Sequence, residues 1–261
     1  MKHRKNTIIG AIAGDIIGSR FEWRNHRSKK FELLHERCFF TDDSVCTLAV
    51  AESLLENKDL ILTMKEICRK YPNSGYGGGF TKWLNSNSSV PYHSYGNGSA
   101  MRVSAVGFFA KTEEATLALA RESAEITHNH KEGIKGAEAT ALAIFWARNG
   151  MSKAFIKEGI SLRFGYDLDR SVDELRKTNK FYLSCQKTVP EAMVCFLESD
   201  NYEDAIRNAV SIGGDTDTIA CITGGISAAY YGEISEDIRN FVMRKLPQDL
   251  REILIKFEEK I

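Results

Sequence analysis

Two short acidic clusters, Thr41-Asp42-Asp43-Ser44 and Gly213-Gly214-Asp215-Thr216-Asp217-Thr218, each run directly into an apolar, helix-like segment. Asp42 and Asp43, adjacent at a helix start, point in divergent directions and can serve two cations, or one cation and one water. Asp215 and Asp217 are two residues apart, so an extended loop sets them on one side. Thr41 and Thr218 add hydroxyls. Every donor is oxygen, a set that suits Mg²⁺, Mn²⁺ or Ca²⁺ rather than zinc or copper, which draw on His and Cys. Brought together, these carboxylates repel one another unless hard cations neutralise them. The simpler reading is that Asp42 and Asp215 cap helices while their neighbours favour the positive dipole end. Either cluster alone fits that reading. Two of the same grammar, each more acidic than a cap requires, shift the balance toward metal.

Gly96-Asn97-Gly98-Ser99, followed by Ala100-Met101 and an apolar run, is a glycine-rich turn feeding a helix start. Free backbone N–H groups and a helix dipole there can hold an anion without Lys or Arg. Asn-Gly is equally a common turn dipeptide, and the Lys-Ser or Lys-Thr of a Walker loop is absent. His128-Asn129-His130 has no histidine partner at helical spacing, which favours a substrate contact or a structural role over metal. Glu22, seven residues beyond Asp15, is either a general base or orienting carboxylate, or an ordinary surface Glu. The basic run from Arg24 to Lys30 reads as a solvated face.

The elements that must position these groups are helical. Val45, Leu48, Ala49, Leu54 and Leu55 form one stripe over residues 44–56, and Thr112 opens another through Leu117, Ala120 and Ala124. Ser152, Pro190 and Pro247 mark further starts, and Gly150, Gly165, Gly213 and Gly232 mark stops. Tyr71 to Gly98, rich in Gly, Ser, Asn and Pro, reads as a long irregular connection. Glycine in a helix interior costs about 1 kcal/mol against Ala. Three small-residue stripes, at Gly10, Gly14 and Gly18, at Gly133 and Gly136, and at Gly224 and Gly225, therefore predict close backbone approach. The expectation is a compact, orthogonal all-α core and a single domain over residues 1–261.

Lys plus Arg equals Asp plus Glu at 35 each, so no global field favours nucleic acid or an acidic membrane. Six scattered cysteines without a C-x-x-C pair read as buried reduced thiols. Met1-Lys2-His3-Arg4-Lys5 and the apolar run after it faintly resemble a signal peptide, but that run is short and broken by glycines. No stretch reaches the roughly 18 apolar residues of a membrane span. A cytoplasmic monomer is expected.

Taken in order, Gly10 to Gly18 with Glu22, Phe40-Thr41-Asp42-Asp43-Ser44, Gly96-Asn97-Gly98-Ser99-Ala100-Met101-Arg102, Thr127-His128 and Gly213 to Thr218 resemble the ADP-ribosylglycohydrolase family across essentially the whole chain. The resemblance implies an all-α fold with two Mg²⁺ or Mn²⁺ ions in a central cleft. Thr41, Asp42 and Asp43 would supply one half of the metal site and Asp215, Asp217 and Thr218 the other, with Asp217 as the bridge. Glu22, Asp42, Asp43 and Asp217 would be catalytic. Gly96, Asn97, Gly98 and Ser99 would contact phosphate and ribose, His128 would line the pocket, and Tyr76 and Gly77 would flank the adenosine side. Gly213 and Gly214 would also meet substrate. Departures are small: Ser44 stands where Thr is common, and Thr216 where Ser is also seen. The implied activity is hydrolysis at the anomeric carbon of the distal ribose of an ADP-ribosyl group. An arginine-linked protein or small acceptor leads, ahead of serine, phosphate or nucleic-acid-end linkages. A catalytically silent ADP-ribose reader on the same scaffold is the competing class. A helical Asp-Asp metal phosphohydrolase is a third, remote reading, since neither D-D-x-x-D nor H-x-x-x-H-D spacing is present.

Overall fold

The computed structural model describes residues 7–261; the basic opening from Met1 to Lys5 lies outside the described residues. Fifteen helices and no strand occur among the described residues. In chain order α1 is Ile9–Ser19, α2 Asp42–Glu56, α3 Leu60–Lys70, α4 Gly78–Asn85 and α5 Gly98–Met101. Next come α6 Ser104–Phe109, α7 Glu113–Glu125, α8 Lys131–Arg148, α9 Lys153–Phe164 and α10 Val172–Thr178. The last five are α11 Cys185–Leu197, α12 Tyr202–Ser211, α13 Thr216–Tyr231, α14 Glu236–Lys245 and α15 Gln248–Lys260. No helix among the described residues is long and apolar enough to cross a membrane.

The centre of the fold is the pairing of α1 with α13, the most extensive helix–helix contact in the molecule. All of α1 is buried, and its glycine stripe shows why. A Cβ added at Gly14 would lie 2.0 Å from the Ala220 carbonyl oxygen, one at Gly18 2.3 Å from that of Thr216, and one at Gly10 2.6 Å from that of Gly224. The relation is reciprocal, since a Cβ at Gly224 would meet the Gly10 oxygen at 2.2 Å. The two backbones touch, and Thr216 fastens them by donating its hydroxyl to the Gly18 carbonyl at 2.9 Å. On α8, Gly136 makes room for Cys185 of α11, whose Sγ lies 2.4 Å from where a Cβ would sit.

Several helix ends follow from local chemistry. Thr41, Thr112 and Ser152 accept backbone N–H groups from the first turns of α2, α7 and α9. Gly150, Gly165, Gly213 and Gly232 all take the left-handed conformation that ends a helix at little cost for glycine. Pro190 does not start a helix: it sits inside α11, which begins at Cys185. It is the sixth residue of α11, past the first turn, so its missing N–H leaves the carbonyl of Gln186 without its intrahelical bond. The irregular connection from Tyr71 to Gly98 contains α4, in which Phe80, Trp83 and Leu84 bury one face at helical spacing; the glycines before them obscured that period. The basic run is likewise not merely solvated. Arg27 donates to the carbonyls of Ile212, Asn179 and Arg176, and Lys29 pairs with Asp204. All six cysteines are free and buried.

Candidate active site

Asp15 lies in the middle of α1, fully buried among isoleucines. A carboxylate there is tolerable only with its lone pairs filled, and the start of α2 fills them. Asp15 accepts the Thr41 hydroxyl at 2.7 Å, the Thr41 N–H at 2.9 Å, the Ser44 N–H at 3.1 Å and the Ser44 hydroxyl. Burial pushes its carboxyl up to about 6, against the opposing pull of these four bonds. Asp15 thus fixes where α2 begins, and with it the directions of Asp42 and Asp43.

The second cluster arrives on α13, held against α1 by the glycine contacts. The two clusters meet: the Thr218 hydroxyl donates to Asp43 Oδ1 at 3.4 Å. Asp215 accepts the Asn97 amide at 2.6 Å, and Asp217 lies beside it. One oxygen each of Glu22, Asp215 and Asp217 lie within 4.8 Å of one another. Asp42, Asp43 and Asp217 are all pushed well above the ordinary carboxylate range, first by burial and then by neighbouring acids, Asp217 foremost for the first two and Asp215 for Asp217 itself. Glu22 is pushed up to about 7 by burial, then by Asp217 and Asp15.

Two buried oxygens of this group, Asp43 Oδ2 and Asp217 Oδ1, have no hydrogen-bond partner. Orphaned carboxylate oxygens facing other carboxylates are what a hard cation would satisfy, and the donor set is all oxygen. The residues present therefore fit a divalent ion.

These groups line one end of a cavity of about 520 Å³, within the size range of small-molecule sites. Glu22, Thr41, Asp42, Asp43, Asp215, Asp217 and Thr218 are all on its wall, as are Gly77, Gly96, Asn97, Gly98 and His128. The turn at Gly96 is held by an antiparallel bridge to Ser184, and Gly98 opens α5. Four expected site residues are not on the wall. Tyr76 donates its hydroxyl to the Cys68 carbonyl and stacks on Phe80. Ser99 is fully buried and donates to the Gly133 carbonyl at 2.7 Å. Gly213 and Gly214 form a left-handed turn whose polar groups are taken by Asn179 and Asn25; the turn aims Asp215 rather than meeting the cavity. His130, the other half of the H-x-H, caps α8 by accepting the Glu132 N–H.

Sequence reasoning passed over Asp15 as a member of a glycine stripe. A lone acid inside an apolar helix was the available clue. It also passed over Trp23 and Phe181, exposed rings stacked 5.4 Å apart on the cavity wall beside Glu22.

A helical scaffold carrying an oxygen-only acidic centre at the end of a nucleotide-sized cavity defines the class of protein, and comparison with known proteins gives the family. The ADP-ribosylglycohydrolase family model matches residues 3–260. The chain belongs to that family. It is similar to the ADP-ribosylhydrolase ARH3 of Mus musculus, 26% identical over 335 aligned residues that cover 98% of this chain and 88% of that protein. It is also similar to the ADP-ribosylarginine hydrolase Tri1 of Serratia proteamaculans (strain 568), 24% identical over 87% of this chain and 71% of that one. A solved structure described as an ADP-ribosylglycohydrolase-related protein complex shares the fold, with a TM-score of 0.74, 23% identity and 99% of both chains covered.

Proposed function

We propose that this protein is a divalent-cation-dependent hydrolase that releases ADP-ribose from a modified acceptor, arginine-linked in the first instance. The observation that carries the reading is the meeting of Asp43 with Thr218, with orphaned oxygens on Asp43 and Asp217 beside it. Thr41, Asp42, Asp43, Asp215, Asp217 and Thr218 would hold one or two Mg²⁺ or Mn²⁺ ions. Bound, these would supply charge neutralisation and Lewis acidity at the ribose and its attacking water.

The chain's own residues do the rest. In the Gly96 to Gly98 turn the Gly96 N–H goes to Ser94 Oγ and the Asn97 N–H to the Leu183 carbonyl, so it is the Gly98 N–H at the start of α5 that the turn offers to the diphosphate. Cleavage at an anomeric carbon passes through an oxocarbenium-like state, which the acidic wall stabilises. Glu22, half-buried beside Asp217, can take or return a proton at the attacking water or the leaving group. Asn97 holds Asp215 in place. The relatives' names support the substrate class, and the Tri1 name supports arginine linkage over serine or phosphate. Six buried free thiols fit a reducing, cytoplasmic setting for a monomer built as one domain.

The test is a hydrolysis panel of arginine-, serine- and phosphate-linked ADP-ribose with Mg²⁺ and with chelator. Expected is Mg²⁺-dependent release, fastest from arginine. ADP-ribose binding without release from any substrate would make the protein a reader, and absence of both would overturn the reading. Glu22→Gln is expected to slow turnover by about 10²-fold or more while cation-dependent ADP-ribose binding persists.

A further inference from the structure

Ten large hydrophobic side chains are exposed among the described residues, and four of them, Trp23, Phe39, Phe181 and Leu183, lie on the wall of the acidic cavity. Exposed apolar side chains scattered singly need no explanation, whereas a group gathered at one cleft marks a contact surface. Trp23 is 77% exposed and Phe181 40%, and their rings stack 5.4 Å apart with 26° between the planes. Most of the indole stays open to solvent despite that stack, so ring surface is left for a third group.

The position of the pair says which part of a substrate reaches it. Trp23 follows Glu22 directly in the chain, and one Glu22 oxygen lies within 4.8 Å of one oxygen each of Asp215 and Asp217. Burial, then Asp217 and Asp15, raise the Glu22 carboxyl, and the Trp23 indole draws it partly back. With the sugar at the acidic centre, the group that leaves the anomeric carbon passes Glu22 and meets these rings. Charge then selects among acceptors. The wall carries the carboxyl groups of Glu22, Asp42, Asp43, Asp215 and Asp217 against one arginine, Arg102, and no lysine among the described residues. A phosphate acceptor meets like charge in Glu22, and a serine acceptor has no flat group to lay on a ring. A guanidinium is planar, cationic and weakly hydrated, and it stacks on aromatic faces.

We propose that Trp23 and Phe181 are specificity-determining residues, an aromatic platform on which the guanidinium of an arginine acceptor stacks while its bond to the ribose lies beside Glu22. The platform rests on the proposed function and assigns its linkage preference to two rings outside the acidic centre.

The test compares hydrolysis of ADP-ribosyl-arginine and of a serine-linked ADP-ribosyl peptide by the full chain with Mg²⁺, alongside calorimetric binding of free ADP-ribose. Trp23→Leu keeps apolar bulk but removes the ring, and Trp23→Phe keeps a ring. Both lose the indole beside Glu22, so a change in kcat is shared and KM separates them. Trp23→Leu is expected to raise KM for the arginine substrate about 5- to 30-fold, the span of a partly desolvated cation–π contact, and Trp23→Phe less than about threefold. Phe181→Leu should raise it in the same direction. KM for the serine-linked peptide and binding of free ADP-ribose should stay within about twofold in all three. An unchanged KM for the arginine substrate in both leucine variants overturns the platform. So does an equal rise for the serine-linked peptide, which would make the rings a generic apolar contact, and so does loss of free ADP-ribose binding, which would place them in the nucleotide site. Release from the serine-linked peptide alone overturns the platform and leaves the hydrolase standing. If ADP-ribosyl-arginine is bound but not cut, the same comparison is read from its Kd, and the platform stands or falls apart from the hydrolase reading. If the unaltered protein neither cuts nor binds any ADP-ribosyl substrate, both fall together.

Discussion

Thr218 donates its hydroxyl to Asp43 across 3.4 Å, although the two are 175 residues apart in the chain. That contact joins two acidic clusters which would repel one another if both stayed charged and unmetallated. Asp217→Asn is therefore expected to stabilise the protein in chelator at pH 7 by about 1–2 kcal/mol, or roughly 2–6 °C in Tm for a chain of this size. Mg²⁺ should raise the Tm of the unaltered protein and leave the variant nearly unmoved. Thermal unfolding with and without chelator decides it, and a lower Tm for the variant in chelator would refute the repulsion.

Asp15 does not need to touch a cation to matter. Its two oxygens accept from both backbone and side chain of Thr41 and Ser44, and an amide cannot accept at both ends. Asp15→Asn is expected to cost about 2–4 kcal/mol in denaturant unfolding under chelation. It should also weaken Mg²⁺ binding about 10- to 100-fold, as loss of a group that orients ligands does. Cation titration by calorimetry measures the second effect separately from the first.

The glycine stripe makes a contrast available within one protein. Gly14→Ala would drive a methyl to 2.0 Å from the Ala220 oxygen, a backbone atom that cannot rotate away, whereas a Cβ at Gly78 meets nothing within 4 Å. Gly14→Ala is expected to destabilise by about 3 kcal/mol or more, while Gly78→Ala should shift stability by less than about 1 kcal/mol. Equal small effects would show that α1 and α13 can separate without penalty.

Away from the cavity, Glu191 on α11 is 3% exposed, with Arg170 Nη1 3.7 Å away. Burial pushes it up to about 7 against an ordinary value of 4.5. The folded state therefore holds this proton over a range in which the unfolded chain has released it. Stability from this group is full below about pH 4.5 and is lost as pH rises through about 7. Glu191→Gln should flatten that slope. Relative to the unaltered protein, the variant is expected to gain about 2–3 kcal/mol between pH 5 and pH 8, read from urea unfolding at each pH.

The acidic side chains of the cavity were legible because two helix starts each carry more carboxylate than a cap can use, and the glycine intervals foretold the backbone contact that brings them together. Caps such as Thr112 and Ser152 and stops such as Gly165 and Gly232 were legible because each follows from a local rule, whereas the cap of α2 is Thr41 and not the expected Asp42. What escaped depended on long-range partners. Asp15 and Arg102 are ordinary letters until Thr41 and Thr127 are seen beside them. Arg27 sits in a run of basic residues that pattern alone assigns to solvent, yet it clamps carbonyls 149 to 185 residues away. Ser99 and Gly213 sit within the right motifs, but whether a motif residue faces the ligand or braces the turn is a matter of orientation, which spacing leaves open.

Because α1 and α13 meet main chain to main chain at Gly14, next to Asp15, and at Gly18, which touches the backbone before and at Asp217, the spacing of the helices that carry these two acids is not set by side-chain size. Their separation is set by peptide geometry, and substitution has almost no means of adjusting it. Under the proposed function, differences in acceptor preference fall to the connections that carry Trp23, Gly77 and Phe181 on the cavity wall. The molecule divides into a part that tolerates no drift and a part free to explore.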